Sequence, residues 1–441
     1  MCDHVRNRRN FKGRLMPVQQ DHESTGGNLS EVLFKPKFKY TETSLISNSG
    51  AKLPRLEKKD VSLGFTRGWY RPISRFLWTW QGGNLMDIDA ALSAIASSKN
   101  ARSRPQCLDT VSEYGGGNWI FEFSSIAQKR AVKGRELEER GDLTGASHQY
   151  RMASRYFALA AYPRLRGDTL AADAAMLGAR CYRSMCRCEP QYGRALDLPF
   201  NTSGCECKAL LHLPDTDRIH PCVVIMASYE LSLVDFYRFY VRKLFPKGIA
   251  LAVVEMPGIG MSEKIKLTAD QSSVLECALN ALKALPYIDS EKIGLFGIKL
   301  GGSACIREAL MRPREIKALA LAGPAVHSFF TDPEILNSLP LCKRSLYANR
   351  LNLDASKWEI VIPLLKQLSL KEQGLLGRGR SVDVPCFNFI LSDALTTRED
   401  RALLRAAFSD YTELTQSEDE YSKNLSTAVE SAADFFSEKL L

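Results

Sequence analysis

The side chains of this chain best placed to do chemistry stand at the ends of buried apolar runs: Ser228, Lys299, His327 and Asp393. Lys299 is the most informative. It lies in Gly297-Ile298-Lys299-Leu300-Gly301-Gly302, directly after the apolar run 293–296. The spacing is that of G-x-S-x-G, the nucleophile elbow, in which glycines permit a sharp strand-to-helix turn and the middle residue projects into a pocket. Here the middle residue is lysine where a serine is expected. As a free amine, Lys299 attacks a carbonyl or serves as a base. As an ammonium, it forms an anion site with the N–H groups of Leu300 and Gly301, suited to a carboxylate or phosphate. The positive end of the following helix works against that extra cation. A third reading is a salt bridge, for instance to Asp393, that holds together a site whose activity is gone.

Asp393 follows the run 386–391, where an elbow enzyme places the acid of its triad. His327 follows the run 318–322 and is the last histidine in the chain, so no base stands nearer the C-terminus. It is read both as a candidate base and as a packing or hydrogen-bonding residue. Ser228 follows the run 222–227 and is a candidate for the oxyanion pocket, with a strand-end cap as the plainer reading. Its loop, Ala227-Ser228-Tyr229-Glu230, has none of the glycines common in such pockets. Ser303 lies one helical step beyond the elbow and is expected to face packing. A second turn, Glu255-Met256-Pro257-Gly258-Ile259-Gly260-Met261-Ser262, follows another buried run and should fold tightly beside the pocket.

These positions need a sheet to hold them. Apolar runs at 222–227, 250–255, 293–296, 318–322 and 386–391 read as strands, with helices expected to begin near Asp235, Gln271, Gly302 and Thr397. That alternation implies a mostly parallel sheet with helices on both faces, and pockets in such sheets open at the carboxyl ends of the strands. Ahead of it, 196–200 and 205–212 alternate as strands around Asn201-Thr202-Ser203-Gly204, a hairpin signal. Residues 118–188 read as helical almost throughout, with apolar positions such as Ala153, Phe157, Ala160 and Ala161 at helical spacing and Asp168 as an N-cap. No fixed period marks them as a repeat array. The expected architecture is an α/β-hydrolase fold over 191–441, preceded by an extended arm and helical N-terminal domain over 28–190 and a tail over 1–27. Phe34, Phe38 and Tyr40 are candidates to anchor the arm.

Composition narrows the class. Apolar residues make up 45% and charged residues 25%, as in soluble globular proteins. Part of the net charge of +9 sits at the start, in Arg6, Arg8, Arg9, Lys12 and Arg14. No zinc-finger spacing, RRM signature or aromatic-basic platform accompanies it, so no nucleic-acid partner is expected. There is neither a membrane-length apolar stretch nor an apolar signal core, and the expected location is the cytoplasm. The 12 cysteines are expected to be reduced. Cys181, Cys186, Cys188, Cys205 and Cys207 cluster, but their C-x-C pairs miss the usual C-x₂₋₄-C of zinc sites, and neither metal nor cofactor is expected.

From Asn28 onward the chain resembles the bacterial fermentation/respiration switch family, the FrsA-like esterases of the α/β-hydrolase superfamily. The segments that carry the resemblance are Asn28-Leu29-Ser30-Glu31 with Leu33-Phe34-Lys35-Pro36, Gly68-Trp69-Tyr70-Arg71, Gly116-Gly117-Asn118-Trp119-Ile120, Ala160-Ala161-Tyr162-Pro163 and Gly323-Pro324-Ala325-Val326-His327. Ser369-Leu370-Lys371 with Gln373-Gly374-Leu375-Leu376-Gly377-Arg378 adds to it. The resemblance implies hydrolysis of a small soluble carboxylic ester, a basic residue as a common occupant of the elbow, and a bacterial source. It also implies a rival role: regulation of fermentation against respiration through enzyme IIA of the sugar phosphotransferase system, without turnover.

Overall fold

A computed structural model describes residues 67–441 apart from Arg378, Arg380, 392–394 and 416–420. The expected tail and most of the arm, with Phe34, Phe38 and Tyr40, lie outside the described residues, as does Asp393. The described chain belongs to one compact unit.

Four helices of at least nine residues come first: α1 (Leu85–Ser97), α2 (Trp119–Glu139), α3 (Leu143–Ala161) and α4 (Thr169–Cys188). Each begins at a residue whose side chain accepts from the first free N–H groups: Asn84, Asn118, Asp142 and, as its sequence predicts, Asp168. Gly134 lets α2 approach α3, because a Cβ there would lie 2.9 Å from the Tyr150 ring. Ala153, Phe157, Ala160 and Ala161 are all buried, as their spacing requires, in a core that also holds Ile88, Trp119, Phe123 and Tyr156. The Trp119 indole donates to the Leu159 carbonyl at 2.8 Å, which satisfies its one polar atom inside that core.

The sheet has eight strands: β1 (Arg194–Thr202), β2 (Cys205–Leu213), β3 (His220–Met226), β4 (Ala250–Val254), β5 (Ile288–Ile298), β6 (Ala318–Ala322), β7 (Cys386–Ile390) and β8 (Tyr411–Thr415). Their order is β1-β2-β4-β3-β5-β6-β7-β8. β2 is antiparallel to both neighbours and the remaining pairs are parallel. The β1–β2 hairpin closes on Ser203 and Gly204, both with positive φ (49° and 73°), the two-residue turn that matches strand twist. β3, β4 and β6 are buried almost throughout, which is why they read as unbroken apolar runs. Helices α5 (Ser273–Lys283), α6 (Leu300–Met311), α7 (Leu341–Arg350), α8 (Trp358–Lys366), α9 (Arg398–Ala407) and α10 (Tyr421–Leu440) complete the fold.

Two details differ from expectation. The helix expected near Asp235 is a succession of short turns, Leu233–Phe236, Tyr237–Phe239 and Tyr240–Leu244. Its first turn is fixed by a reciprocal Ser232–Asp235 cap, and the run ends after a further turn, Phe245–Lys247, at Gly248, whose φ is 69°. β8 was not expected: Tyr-Thr-Glu-Leu-Thr is a half-exposed edge strand without a continuous apolar run. The cysteine cluster divides between α4 and β2. Cys205 and Cys207 face the same core, as alternation predicts, and burial pushes the thiols of Cys181 and Cys186 up to about 11 and about 12. No helix among the described residues is long and apolar enough to cross a membrane.

The helical layer is fastened to the sheet by arginines. Arg155 of α3 makes a buried ion pair with Asp235. Arg350, at the end of α7 and fully buried, donates to the carbonyls of Pro163 (2.9 Å) and Arg164 (2.8 Å) in the α3–α4 loop, and to Asn349 Oδ1 (2.9 Å). Its guanidinium lies 5.1 Å over the Tyr229 ring. Burial lowers its pKa to about 10, which still leaves it charged at neutral pH.

Arg350→Leu strands two carbonyls, each of which costs roughly 1–3 kcal/mol when left without a donor. Urea unfolding should show a loss of at least ~2 kcal/mol, and an unchanged midpoint would mean that the loop is held by other contacts. Glu308 of α6 is buried and its carboxyl is pushed up to about 7, mainly by desolvation. Because the folded value exceeds the ordinary 4.5, its contribution is full at low pH and is lost as pH rises through about 7. Glu308→Gln should therefore hold more of its pH 4.5 stability at pH 7.5 than the parent does; parallel loss in both proteins contradicts this.

Candidate active site

β5 ends at Ile298 and α6 begins at Leu300, so Lys299 alone makes the strand-to-helix turn. Its backbone has φ 50° and ψ −119°, a region that a lysine enters only under constraint. Hydrogen bonds supply the constraint. The Lys299 N–H donates to the Ala322 carbonyl at 3.0 Å, while its own carbonyl accepts from Gly302 (3.0 Å) and Ala325 (3.1 Å). The neighbouring glycines answer to close approach. A Cβ on Gly301 would strike the Met226 carbonyl at the end of β3, and one on Gly297 would lie 2.5 Å from the Cα of Gly302. One on Gly302 would lie 2.7 Å from Pro324. The sequence-predicted elbow is thus present, with lysine at its apex and half-buried.

α6 begins against the end of β3, which leads directly to Ser228. Ser228 is buried and its hydroxyl donates to the Glu230 carboxylate. Glu230 in turn pairs with Lys343 of α7. A Cβ on Gly301 would lie 3.0 Å from the carbonyl carbon of Ala227, the residue before Ser228, so Ser228 follows the point where α6 meets β3. The first N–H groups of that helix, those of Leu300 and Gly301, have no acceptor within it. The Ser228–Glu230–Lys343 chain escaped sequence reasoning, because Lys343 lies far along the chain in an exposed-looking helix. The lone signal was a serine and a glutamate two apart at a strand end.

His327 is placed by a different set of contacts. Its Nδ1 shares a hydrogen bond with Ser369 Oγ at 2.8 Å, and its Nε2 lies 3.6 Å from Glu399. Its N–H donates to Asp400, whose carboxylate also caps α9. These partners tie the ring to the 369–372 turn and the start of α9, whereas the elbow is met by the backbone two residues earlier, at Ala325. Ser303 is fully buried and accepts from the Gln271 amide at 2.8 Å, as its packing position predicts. Asp393 follows β7 in sequence but lies outside the described residues.

The turn after β4 is tight, as Pro257 and its glycines require. Gly258 and Gly260 have φ of 90° and 54°. A Cβ on Gly258 would lie 2.7 Å from Arg350, and one on Gly260 would overlap the Glu255 carboxylate. Glu255 pairs with Arg164 of the α3–α4 loop at 3.2 Å, with both side chains largely buried. Tyr229 donates to the Pro257 carbonyl at 2.8 Å. One network thus fixes the loops after β3 and β4 and the α3–α4 loop. Chemically, the site offers a cation and two helix N–H groups at a sheet end, a hydroxyl–carboxylate pair beside them, and no serine at the apex.

Residues 24–441 match the family model described as Esterase FrsA-like. Esterase FrsA of Photobacterium profundum is 34% identical over 376 residues, covering 84% of this chain and 88% of that protein. Esterase FrsA of Salmonella typhi is 33% identical over 392 residues, covering 88% of this chain and 92% of that protein. Among solved structures, 2,6-dihydroxy-pseudo-oxynicotine hydrolase superposes with a TM-score of 0.64 at 16% identity, covering 83% of this chain and 95% of that one. AbyA5 does so with a TM-score of 0.57 at 18% identity, covering 81% and 95%. At such identities the structures share the α/β-hydrolase fold.

The elbow makes opposite predictions for two neighbours. Gly301→Ala forces a Cβ into the Met226 carbonyl and should cost more than ~2 kcal/mol or prevent folding. Lys299→Gly relieves a left-handed backbone that costs about 1–3 kcal/mol, and should unfold at the same or a higher urea concentration than the parent. Equal destabilisation of the two variants would show that the turn is not strained.

Proposed function

Because the chain belongs to the FrsA-like esterase family, we propose that it is a carboxylesterase-type hydrolase of a small soluble ester, with Lys299 meeting the carbonyl oxygen. One observation carries the reading: the elbow directs its apex residue to the sheet end where the free N–H groups of α6 begin. There the ammonium of Lys299 and the N–H groups of Leu300 and Gly301 receive the charge that grows on the carbonyl oxygen as the ester is attacked. Interactions of this type are worth most at that moment, and removing one donor from such a site commonly costs about 10²–10³ in rate. With lysine at the apex, no acyl-serine forms there, and water is the attacking group. Its oxygen bonds to the carbonyl carbon, the bond to the alcohol oxygen breaks, and the alcohol leaves with the proton that water gives up. Ser228 and Glu230 are the hydroxyl and carboxylate assigned to move that proton.

A second reading has its own observation. The ring of His327 is committed to Ser369 and Glu399, and no histidine follows it in the chain. On that reading the same anion site binds a small carboxylate without turnover, and the protein regulates fermentation against respiration in contact with enzyme IIA of the sugar phosphotransferase system.

Lys299→Ser separates the two. Butyrate binding, read by calorimetry, should weaken tenfold or more, because one charge-assisted hydrogen bond exceeds the ~1.4 kcal/mol that a factor of ten represents. As a hydrolase, the parent should turn over p-nitrophenyl butyrate and the variant should lose at least tenfold of that rate. Butyrate binding that depends on Lys299, with no turnover in the parent, selects the regulatory reading. Unchanged butyrate binding rejects the anion site in both. A large gain in rate would reveal a base able to serve a serine at the elbow, with His327 the first residue to test.

A further inference from the structure

Between the helical layer and the sheet lies a cavity of about 440 Å³, within the roughly 300–1,000 Å³ typical of small-molecule sites. Its lining includes neither Lys299 nor Ser228, although Arg164, Glu255 and Gly260 border both it and the loops beside the elbow. Its walls are mainly small and apolar: alanines of α3, Ala175 and Gly178 of α4, and Leu210 of β2. Such walls leave room because each side chain is short. At Gly178 the two helices meet closely instead, since a Cβ there would lie 3.1 Å from Phe157 and 3.3 Å from the Ser154 carbonyl.

Two further features give the cavity a chemistry. Ser154 of α3 lines it, is only 2% exposed, and among the described residues its Oγ has no hydrogen-bond partner. A buried hydroxyl left unpaired costs free energy that a bound hydrogen-bonding group would recover. The charges around the lining are equal in number and opposite in sign, and several are already paired. Arg164 meets Glu255 at 3.2 Å, and Asp197 takes both Arg183 at 2.7 Å and Lys208 at 3.9 Å. Of the rest, Asp168 and Glu263 accept from the backbone N–H groups of Ala171 and Gly167 and Arg180 stands exposed, so a charged ligand seated against the buried wall would lie desolvated against alanine.

We infer that this cavity is a second binding site, for an uncharged small molecule with an apolar body and one hydrogen-bonding group that pairs with Ser154. The site lies where α3 and α4 meet β2, so its occupant bridges the helical layer and the sheet and stabilises their contact by mass action.

Hexan-1-ol, hexanoate and hexylammonium share one apolar body and differ only in charge. Binding to the full-length protein is read by calorimetry for hexan-1-ol and, for all three compounds, by the methyl resonance of Met176, which lines the cavity, since hexanoate would also give heat at the elbow. Hexan-1-ol should bind at least tenfold more tightly than either ion and should shift that resonance. Ala179→Phe fills the cavity and should abolish both signals while retaining the parent's circular dichroism. Should Ala179→Phe fail to fold, Ser154→Ala, which adds no bulk, should still weaken hexan-1-ol about fivefold. The inference is overturned if hexan-1-ol does not bind, if either ion binds as well or better, or if a folded Ala179→Phe or the Ser154→Ala variant binds it as the parent does. None of these outcomes touches the reading of Lys299, whose probe is butyrate at the other site.

Discussion

Everything at the candidate site depends on how closely the start of α6 approaches the end of β3. Gly301 has no room for a Cβ against the Met226 carbonyl, and Gly302 has none against Pro324. That approach leaves a single residue to turn the chain from β5 into α6, and a single residue can do so only with a left-handed backbone. The apex side chain is then carried up out of the packed interior toward the carboxyl end of the sheet. Lysine at this apex inherits a geometry that is independent of its chemistry. Lys299 stands at the start of α6 because the backbone requires some side chain to stand there.

The second support is the set of arginines that join the helical layer to the sheet loops. Arg350, Arg164 and Arg155 act where backbone carbonyls and carboxylates converge away from water. Buried ion pairs of this kind add little to net stability compared with well-packed apolar groups, but breaking one side of them is costly. They therefore fix the relation of the α3–α4 loop to the loops after β3 and β4. The Ser228–Glu230 pair and the cavity beside Ser154 both border elements held in this way.

Much of this could be read from the chain itself. The unbroken apolar runs of β3, β4 and β6 could be seen because both faces of those strands are buried. The elbow was visible in Gly297, Gly301 and Gly302, since close backbone approach selects glycine. Asp168 announced α4 because capping is local. β8 was hidden by its half-exposed edge position, and the turns at 233–244 by an apolar content that suits a helix equally well. Arg350 and Lys343 gave no signal, since each acts on partners more than a hundred residues away and looks solvent-facing in its own helix. His327 looked free to face the pocket because its partners Ser369, Glu399 and Asp400 come from a later part of the chain.

The central claim is that the elbow presents Lys299 as the cationic half of an anion site whose other half is the start of α6. A crystal structure of the protein soaked with butyrate tests it directly. The account predicts a carboxylate oxygen within about 3 Å of Lys299 Nζ, with the second oxygen at the N–H groups of Leu300 and Gly301. A bound carboxylate elsewhere, with Lys299 Nζ turned away from the helix start, would contradict it.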